Sequence, residues 1–308
     1  MSMQTTIKRS FSLSGVALHS GLISTVTVHP SPANTGIRFK RIDLGVPNHQ
    51  KIIDCSVQNI SSSKLCTILK NKYGHKISTV EHLMSSLHGL GIDNVLIDIN
   101  TDEIPILDGS SKLFVDAIED IGIKQLNSER KIIKILNPLI VGNEDAFIKI
   151  TPNDFFSIDY TILYNHKLIN EQKFKLEYLN EIKYKELISS SRTFGFEHEV
   201  DLLREQGLIK GGSMDNAIVL SKDGTLNNEE LRFNDEFVRH KILDAIGDLY
   251  ILGLPIIGHI EAYCAGHNLM HEALKSLLQD KSLWQIIKSS EVGHKAATYH
   301  NEEILSYI

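Results

Sequence analysis

Two short stretches of this 308-residue chain carry side chains whose types and spacing suit hydrolytic metal chemistry. In Phe237-Val-Arg-His240-Lys-Ile-Leu-Asp244-Ala-Ile-Gly-Asp248-Leu-Tyr250, helical spacing gathers Val238, Ile242, Ala245, Ile246 and Leu249 on one side. His240, Asp244 and Asp248 line the other, one turn apart. Taken alone, such a stripe is the wet face of an amphipathic helix. The second stretch is Ser78-Thr-Val-Glu81-His82-Leu-Met-Ser-Ser-Leu-His88-Gly. Val80, Leu83, Met84 and Leu87 form its packing face, whereas His82 shares a side with Ser85, Ser86 and Gly89, small residues that leave room beside an imidazole. Ser78 and Glu81 also fit a capping box, which by itself would account for Glu81.

A catalytic zinc ion takes about three protein nitrogen or oxygen ligands and leaves one position for water. His240 and Asp244 offer two from one helix, and His82 is the best candidate for the third. Glu81 would then be general base for a water whose pKa the metal lowers. Asp248 lies one turn too far to ligate and is placed to orient another imidazole. That imidazole is His267, in Tyr263-Cys-Ala-Gly266-His267-Asn, where a strand over 256–263 turns into a helix. Protonated, it would stabilise an oxyanion and protonate a leaving amine. A rival constellation is His267 with His271, spaced like a His-x3-His metallopeptidase pair. It lacks the glutamate after the first histidine, Asn268 here, and Leu269, Ala273 and Leu277 make that segment an ordinary amphipathic helix. Phosphate-binding glycine loops, a Gly-x-Ser-x-Gly elbow and Cys-x2-Cys pairs are absent from the sequence.

The elements that must position these residues read as two domains, and 42% apolar residues can supply their cores. A net charge of −6 without single-sign runs argues against a nucleic-acid surface, though a local cationic pocket for phosphates stays open. Met1 to Ser10 has no signal-peptide core, and the longest apolar stretch, Leu249 to Ile260, is interrupted by Gly253, Pro255, Gly258 and His259, so a soluble intracellular protein is expected. Cys55, Cys66 and Cys264 share no metal spacing and read as free thiols. Strand alternation runs over 5–30 with a turn at Leu18-His19-Ser20, then over 37–42. Residues 43–63 read as an excursion from the core and Lys64 to Leu69 as a strand. Helices are expected over 78–90 and 114–121, and a tight turn at Asp108. Residues 124–131 lack an apolar pattern and mark the boundary between domains 1–127 and 128–308. The second domain reads as strands over 132–140, 146–151 and 157–163 followed by a helix over 178–190. Gly91-Ile-Asp-Asn-Val-Leu matches Ser213-Met-Asp-Asn-Ala-Ile, and Asp116-Ala-Ile-Glu-Asp120-Ile matches Asp244-Ala-Ile-Gly-Asp248-Leu, in the same order. An internal duplication is therefore expected, with His240 standing where the first copy has Lys112, and with both 179–190 and 199–206 open as the partner of helix 78–90.

Taken together, Thr79-Val-Glu81-His82-Leu, Gly91-Ile-Asp-Asn, Glu103-Ile-Pro-Ile-Leu-Asp108-Gly-Ser, Ser191-Arg-Thr193-Phe194-Gly-Phe196, the 237–249 segment and Gly266-His267 resemble the UDP-3-O-acyl-N-acetylglucosamine deacetylases, zinc amidases of lipid A biosynthesis. The resemblance runs from about Ile7 to Leu278. It implies an α+β fold of two similar two-layer α/β sandwich domains, each with an insert, and an active site at their interface. It assigns Zn2+ to His82, His240 and Asp244, the base to Glu81, and the acid role to His267 supported by Asp248. It adds Thr193 as donor to the developing oxyanion, Phe194 against the sugar and Lys241 towards the sugar-nucleotide end. An insert near 196–214 would form an apolar passage for the 3-O-acyl chain, with Phe196, Val200, Ile209 and Met214 lining it and Leu18 opposite. His19 and Asp108 would support the cleft. The implied reaction releases acetate from the acylated UDP-amino-sugar in the cytoplasm of a Gram-negative bacterium. A monomer is expected, with no nucleic-acid partner and no stable membrane insertion, peripheral contact aside. Two positions depart from the family: Cys264 replaces a lysine that lies near the substrate phosphates, and Lys210 stands where an apolar residue is usual. A zinc amidohydrolase of another acylated amine, and a catalytically silent sugar-nucleotide-binding protein, are the competing functions.

Overall fold

The computed structural model describes residues 2–61 and 65–292. Its first sheet has the order Phe11–Val16, Ile23–Pro30, Val95–Ile99, Ile37–Arg41, Ile52–Asp54. Period-2 alternation builds it: in Ile23–Pro30, Ser24, Val26 and Val28 are fully buried while Thr25, Thr27 and His29 are only partly so. The expected excursion over 43–63 is instead largely part of this domain. It holds a short helix, α1 (Asn48–Lys51), and then the edge strand, whose Ile53 is fully buried in the core. The strand expected from Lys64 begins at Ile68 and runs to Lys70; Lys64 itself lies outside the described residues.

Helix α2 (Glu81–Gly89) follows, then α3 (Lys112–Ile121), which packs on the first sheet. Residues read as featureless, 124–131, mostly belong to a strand, Ile123–Glu129, antiparallel to Met3–Ile7. Its pairing satisfies the backbone although its side chains carry no apolar alternation. The second sheet has seven strands: Ile256–Tyr263 is flanked by Phe147–Thr151 and Phe156–Tyr164, with Leu139–Gly142 and Asn170–Leu176 beyond them and Lys131–Ile135 and Trp284–Lys288 attached. Its helices are α4 (Glu181–Leu187), α5 (Glu197–Glu205), α6 (Glu236–Leu249) and α7 (His267–Gln279). The insert pairs Phe194–Phe196 with Ile218–Leu220. Among the described residues no helix is long and apolar enough to cross a membrane.

The duplication is visible in the sheets, in a different register from the one expected. Val95–Ile99 runs antiparallel to Ile23–Pro30 and parallel to Ile37–Arg41; Ile256–Tyr263 runs antiparallel to Phe147–Thr151 and parallel to Phe156–Tyr164. Helix α2 precedes the first of these central strands and α6 the second, so α6 is the counterpart of α2. The expected pairing of Asp116 with Asp244, and the contrast of Lys112 with His240, therefore fail, as do 179–190 and 199–206 as partners of α2. Each helix leads into a glycine of left-handed φ, Gly91 and Gly253. Counting back nine residues from each reaches His82 and Asp244; counting back three reaches His88 and Tyr250, whose rings stack 4.3 Å apart at 5°.

Helices α2 and α6 pack against each other between the two sheets. Every residue of α2 is buried, and in α6 all but Arg239 and Lys241. The face that reads as wet when the stripe is taken alone is thus the contact between domains, where the ligand set is expected. A small residue makes it close: a β-carbon on Gly247 would lie 2.0 Å from the Glu81 carbonyl oxygen; α2 likewise meets α4 closely, where one on Gly89 would lie 2.2 Å from the Tyr184 ring. Tyr184 in turn donates its hydroxyl to Ser85 Oγ at 2.9 Å.

Candidate active site

The capping box at the start of α2 does not form. Ser78 ends a strand and donates its hydroxyl to the Asp102 carbonyl, Thr79 takes a φ of 58°, and Val80 is the N-cap without a side-chain bond. Glu81 is therefore the first helical residue and free of the cap. Its Oε2 accepts the Thr67 backbone N–H at 3.1 Å. His82, on the next position, points into the contact with α6.

There His82 Nε2 and His240 Nε2 lie 3.5 and 3.4 Å from Asp244 Oδ1, and the two imidazoles stand edge to face, 5.0 Å apart at 90°. These three residues have donor atoms within 4.8 Å of one another, the one such group of metal-binding type among the described residues. Asp244 Oδ1 is buried without a hydrogen-bond partner. An orphaned carboxylate oxygen is costly in a closed interior. Between two imidazole nitrogens it is the donor set that a zinc-type cation completes, so the residues fit a metal. His240 Nδ1 donates to the Ser191 carbonyl at 3.1 Å, which leaves Nε2 with its lone pair towards the cluster. Burial pulls the His240 pKa down to about 3. Burial opposes the Asp244 charge, but His240 and the Lys241 ammonium, 2.6 Å from Oδ2, hold the carboxyl well below its ordinary value. The Ser191 segment is fixed by a buried pair: Arg192 Nε meets Glu236 Oε1 at 2.9 Å at the start of α6.

Glu81 and His267 face the cluster from two sides. His267 Nε2 is 3.9 Å from Glu81 Oε1 and 3.8 Å from Asp244 Oδ2, and its Nδ1 donates to Asp248 Oδ2 at 2.6 Å. Burial works against a charged His267, but Asp248, Asp244 and Glu81 outweigh it and raise the pKa to about 9. Burial raises the Glu81 carboxyl against the pull of His267 and His82. The site thus pairs a carboxylate moved towards basicity with an imidazole held protonated. His271 does not join His267 as a metal pair. Its Nε2 is 2.9 Å from Thr67 Oγ1, and the Thr67 hydroxyl reaches Asp248 Oδ1 at 2.5 Å. Thr67 and His271 are not recognisable as a pair in the sequence, because residues 64–69 read there only as a strand and no local spacing links residues so far apart.

The other expected residues are distributed around this centre. Thr193 takes its place through the turn at Asp108: its N–H donates to the Gly109 carbonyl at 2.7 Å, and Asp108 is tied to Arg232 at 2.8 Å. Phe194 packs edge-on to His240 at 6.4 Å and to Phe237 at 5.0 Å. Phe196 lies beyond it, beside Tyr164. Leu18 and His19 are covered by the insert, where Gly211 N–H donates to the Leu18 carbonyl and Lys210 N–H to the His19 carbonyl. Gly211 is a real turn constraint, since a β-carbon there would lie 2.3 Å from the Ala17 carbonyl oxygen. Ile209, at φ 48°, closes the same turn. A cavity of about 320 Å³ opens here, lined by His19, Leu65, Cys66, Ile68, Leu208 and Lys210 among others. Val200 is half-buried on α5, and Met214 is 53% exposed. Cys264, at φ 46°, donates its N–H to the Thr161 carbonyl.

A two-domain α+β fold with three buried nitrogen and oxygen donors at the domain contact, flanked by a carboxylate and an aspartate-backed imidazole, has the parts of a hydrolytic centre. The family follows from the sequence match. Residues 4–279 fit the LpxC family, UDP-3-O-acyl N-acetylglycosamine deacetylase, and the chain belongs to it. Membership makes the chain one of a family of hydrolases that deacetylate an acylated UDP-amino-sugar in lipid A and lipopolysaccharide synthesis.

Proposed function

We propose that this chain is a zinc-dependent amidase that removes the N-acetyl group of UDP-3-O-acyl-N-acetylglucosamine, releasing acetate and UDP-3-O-acyl-glucosamine, the committed step of lipid A biosynthesis. The observation that carries the reading is the orphaned Asp244 Oδ1 between the Nε2 atoms of His82 and His240, with Glu81 and His267 within reach of one another beside it. A zinc ion held by His82, His240 and Asp244 supplies a Lewis acid for the amide carbonyl and a water of lowered pKa. Glu81 takes the proton of the attacking water as the carbonyl carbon becomes tetrahedral. Thr193 donates its hydroxyl to the developing oxyanion. His267, charged and held at Nδ1 by Asp248, gives its Nε2 proton to the sugar nitrogen as the C–N bond breaks, so the amine leaves neutral. Buried walls around both groups keep bulk water from competing for these protons.

Substrate placement follows the same division. Phe194 meets the sugar and Lys241 the sugar-nucleotide end, while Leu18, Phe196, Val200, Ile209 and Met214 receive the 3-O-acyl chain. The base-bearing domain ends near residue 127, and the chain acts as a monomer in the bacterial cytoplasm. The test is acetate release from the acylated UDP-sugar and from the same acylated amino-sugar without the nucleotide. Turnover of the first and little of the second is expected; equal turnover of both would point to a general amidohydrolase, and turnover of neither to a binding protein.

A further inference from the structure

We propose that Thr67 is a positioning residue that locks the base of this centre to its acid, with His271 as the anchor of the lock. The inference rests on the reading of Glu81 as base and His267 as acid. Thr67 belongs to the first domain, and its backbone N–H and its hydroxyl both meet the machinery or its support. Its backbone N–H donates to Glu81 Oε2 at 3.1 Å. Its hydroxyl oxygen lies 2.5 Å from Asp248 Oδ1, 2.9 Å from His271 Nε2 and 3.4 Å from His267 Nδ1, all in the second domain. All three side chains are buried: Thr67 is 0%, Asp248 1% and His271 3% exposed.

A hydroxyl has one proton to give, and that fixes the direction of each bond. Burial opposes the Asp248 charge, but His267 and His271 hold its carboxyl below the ordinary range, so it accepts only. The Thr67 proton therefore goes to Oδ1, and the Thr67 oxygen must accept from His271. His271 is thereby fixed as the Nε2–H form. Asp248 is then held at both oxygens, by Thr67 at Oδ1 and by His267 Nδ1 at Oδ2. Pinning the carboxylate also pins the His267 ring bonded to it, and the same threonine fixes Glu81 through its backbone. Without the hydroxyl, Asp248 can swing about its side-chain torsions and carry His267 Nε2 away from the leaving nitrogen, at a cost in rate rather than in binding.

The test uses the full-length zinc-loaded enzyme with Thr67→Val, which keeps shape and backbone N–H, Thr67→Ser, which restores the hydroxyl, and His271→Phe. For Thr67→Val, kcat should fall on the order of tenfold to a hundredfold, as expected for a lost hydrogen bond to a charged group. KM and bound zinc should stay within about twofold of wild type. Thr67→Ser should recover most of kcat, and His271→Phe should lower it with KM unchanged. An unaltered kcat in Thr67→Val, or a Thr67→Ser variant no better than Thr67→Val, would overturn the inference. A second readout does not depend on turnover: in 15N-histidine NMR of the zinc-loaded protein, His271 should carry a proton on Nε2. A proton on Nδ1 alone would overturn the inference even if the proposed substrate proved wrong, and an inactive wild type with the expected tautomer would refute the function while leaving the lock in place.

Discussion

Asp248→Asn keeps the size of the side chain and removes the charge that faces His267 Nδ1 at 2.6 Å. Burial alone pulls the His267 pKa below 6.5, and it is Asp248, with Asp244 and Glu81, that raises it to about 9. That rise corresponds to about 3 kcal/mol in favour of the protonated ring. Near pH 7.5 a ring titrating at about 9 is ~97% protonated, and one at 6.5 or below is at most ~9%, so loss of the proton alone costs about tenfold in rate. A cation at the three-donor cluster lowers the His267 value in both proteins, so the difference between them is the quantity to read. The assay is kcat/KM against pH with matched metal content. The alkaline limb should move down by more than about one pH unit in the variant, and the loss should be greater near pH 7.5 than near pH 5.5. The folded pKa of His267 lies above its unfolded value, so the pair also stabilises the metal-free protein. That contribution is fully present below about pH 6.5 and is lost as the pH rises through about 9. An alkaline limb at the same pH in both proteins, with a uniform loss of rate, would refute the role given to the Asp248 charge.

Glu81→Gln should abolish turnover and leave bound zinc at the wild-type level, because the carboxylate is assigned to the proton and not to the metal; loss of zinc by elemental analysis would reverse that assignment. Gly247→Ala places a methyl group 2.0 Å from the Glu81 carbonyl oxygen and must part α2 from α6. Stability should drop by roughly 1–3 kcal/mol in denaturant unfolding, and kcat should fall with it. Gly211→Ala meets the Ala17 carbonyl oxygen at 2.3 Å and lifts the insert from Leu18. Steady-state kinetics should then show KM for the acylated substrate rising severalfold with kcat nearly kept, the pattern of lost uniform binding.

The local signals that needed only one helix were legible in the chain. The i, i+4 spacing of His240, Asp244 and Asp248 reads directly as one face, and the strand over 256–263 ends where the sequence places it, just before Gly266 and His267. The Asp248–His267 pair also follows from residue types alone. What the chain hides is long-range. Taken alone, the stripe on α6 reads as wet because helical periodicity cannot tell a solvated face from one closed by a second polar helix, and only the packing of Gly247 on Glu81 reveals that closure. The repeat was misaligned by a chance likeness of Asp116-Ala-Ile to Asp244-Ala-Ile, whereas the true equivalence is carried by sheet order and by Gly91 and Gly253, whose neighbours share few side chains. The capping box failed for a related reason: Ser78 is committed to the strand end and Asp102, which three-residue spacing does not disclose. Thr67, whose contacts lie in Glu81, Asp248, His267 and His271, could be found only in three dimensions.

Zinc titration of chelator-stripped protein, read as acetate released from UDP-3-O-acyl-N-acetylglucosamine, tests most directly whether the cluster of His82, His240 and Asp244 is the catalytic metal site. The expected rate is negligible without metal, climbs linearly to a break at one zinc per chain, and is absent at every zinc concentration up to that equivalence in His240→Ala. A stripped enzyme that keeps its full rate, or a His240→Ala variant that titrates like wild type, would contradict it.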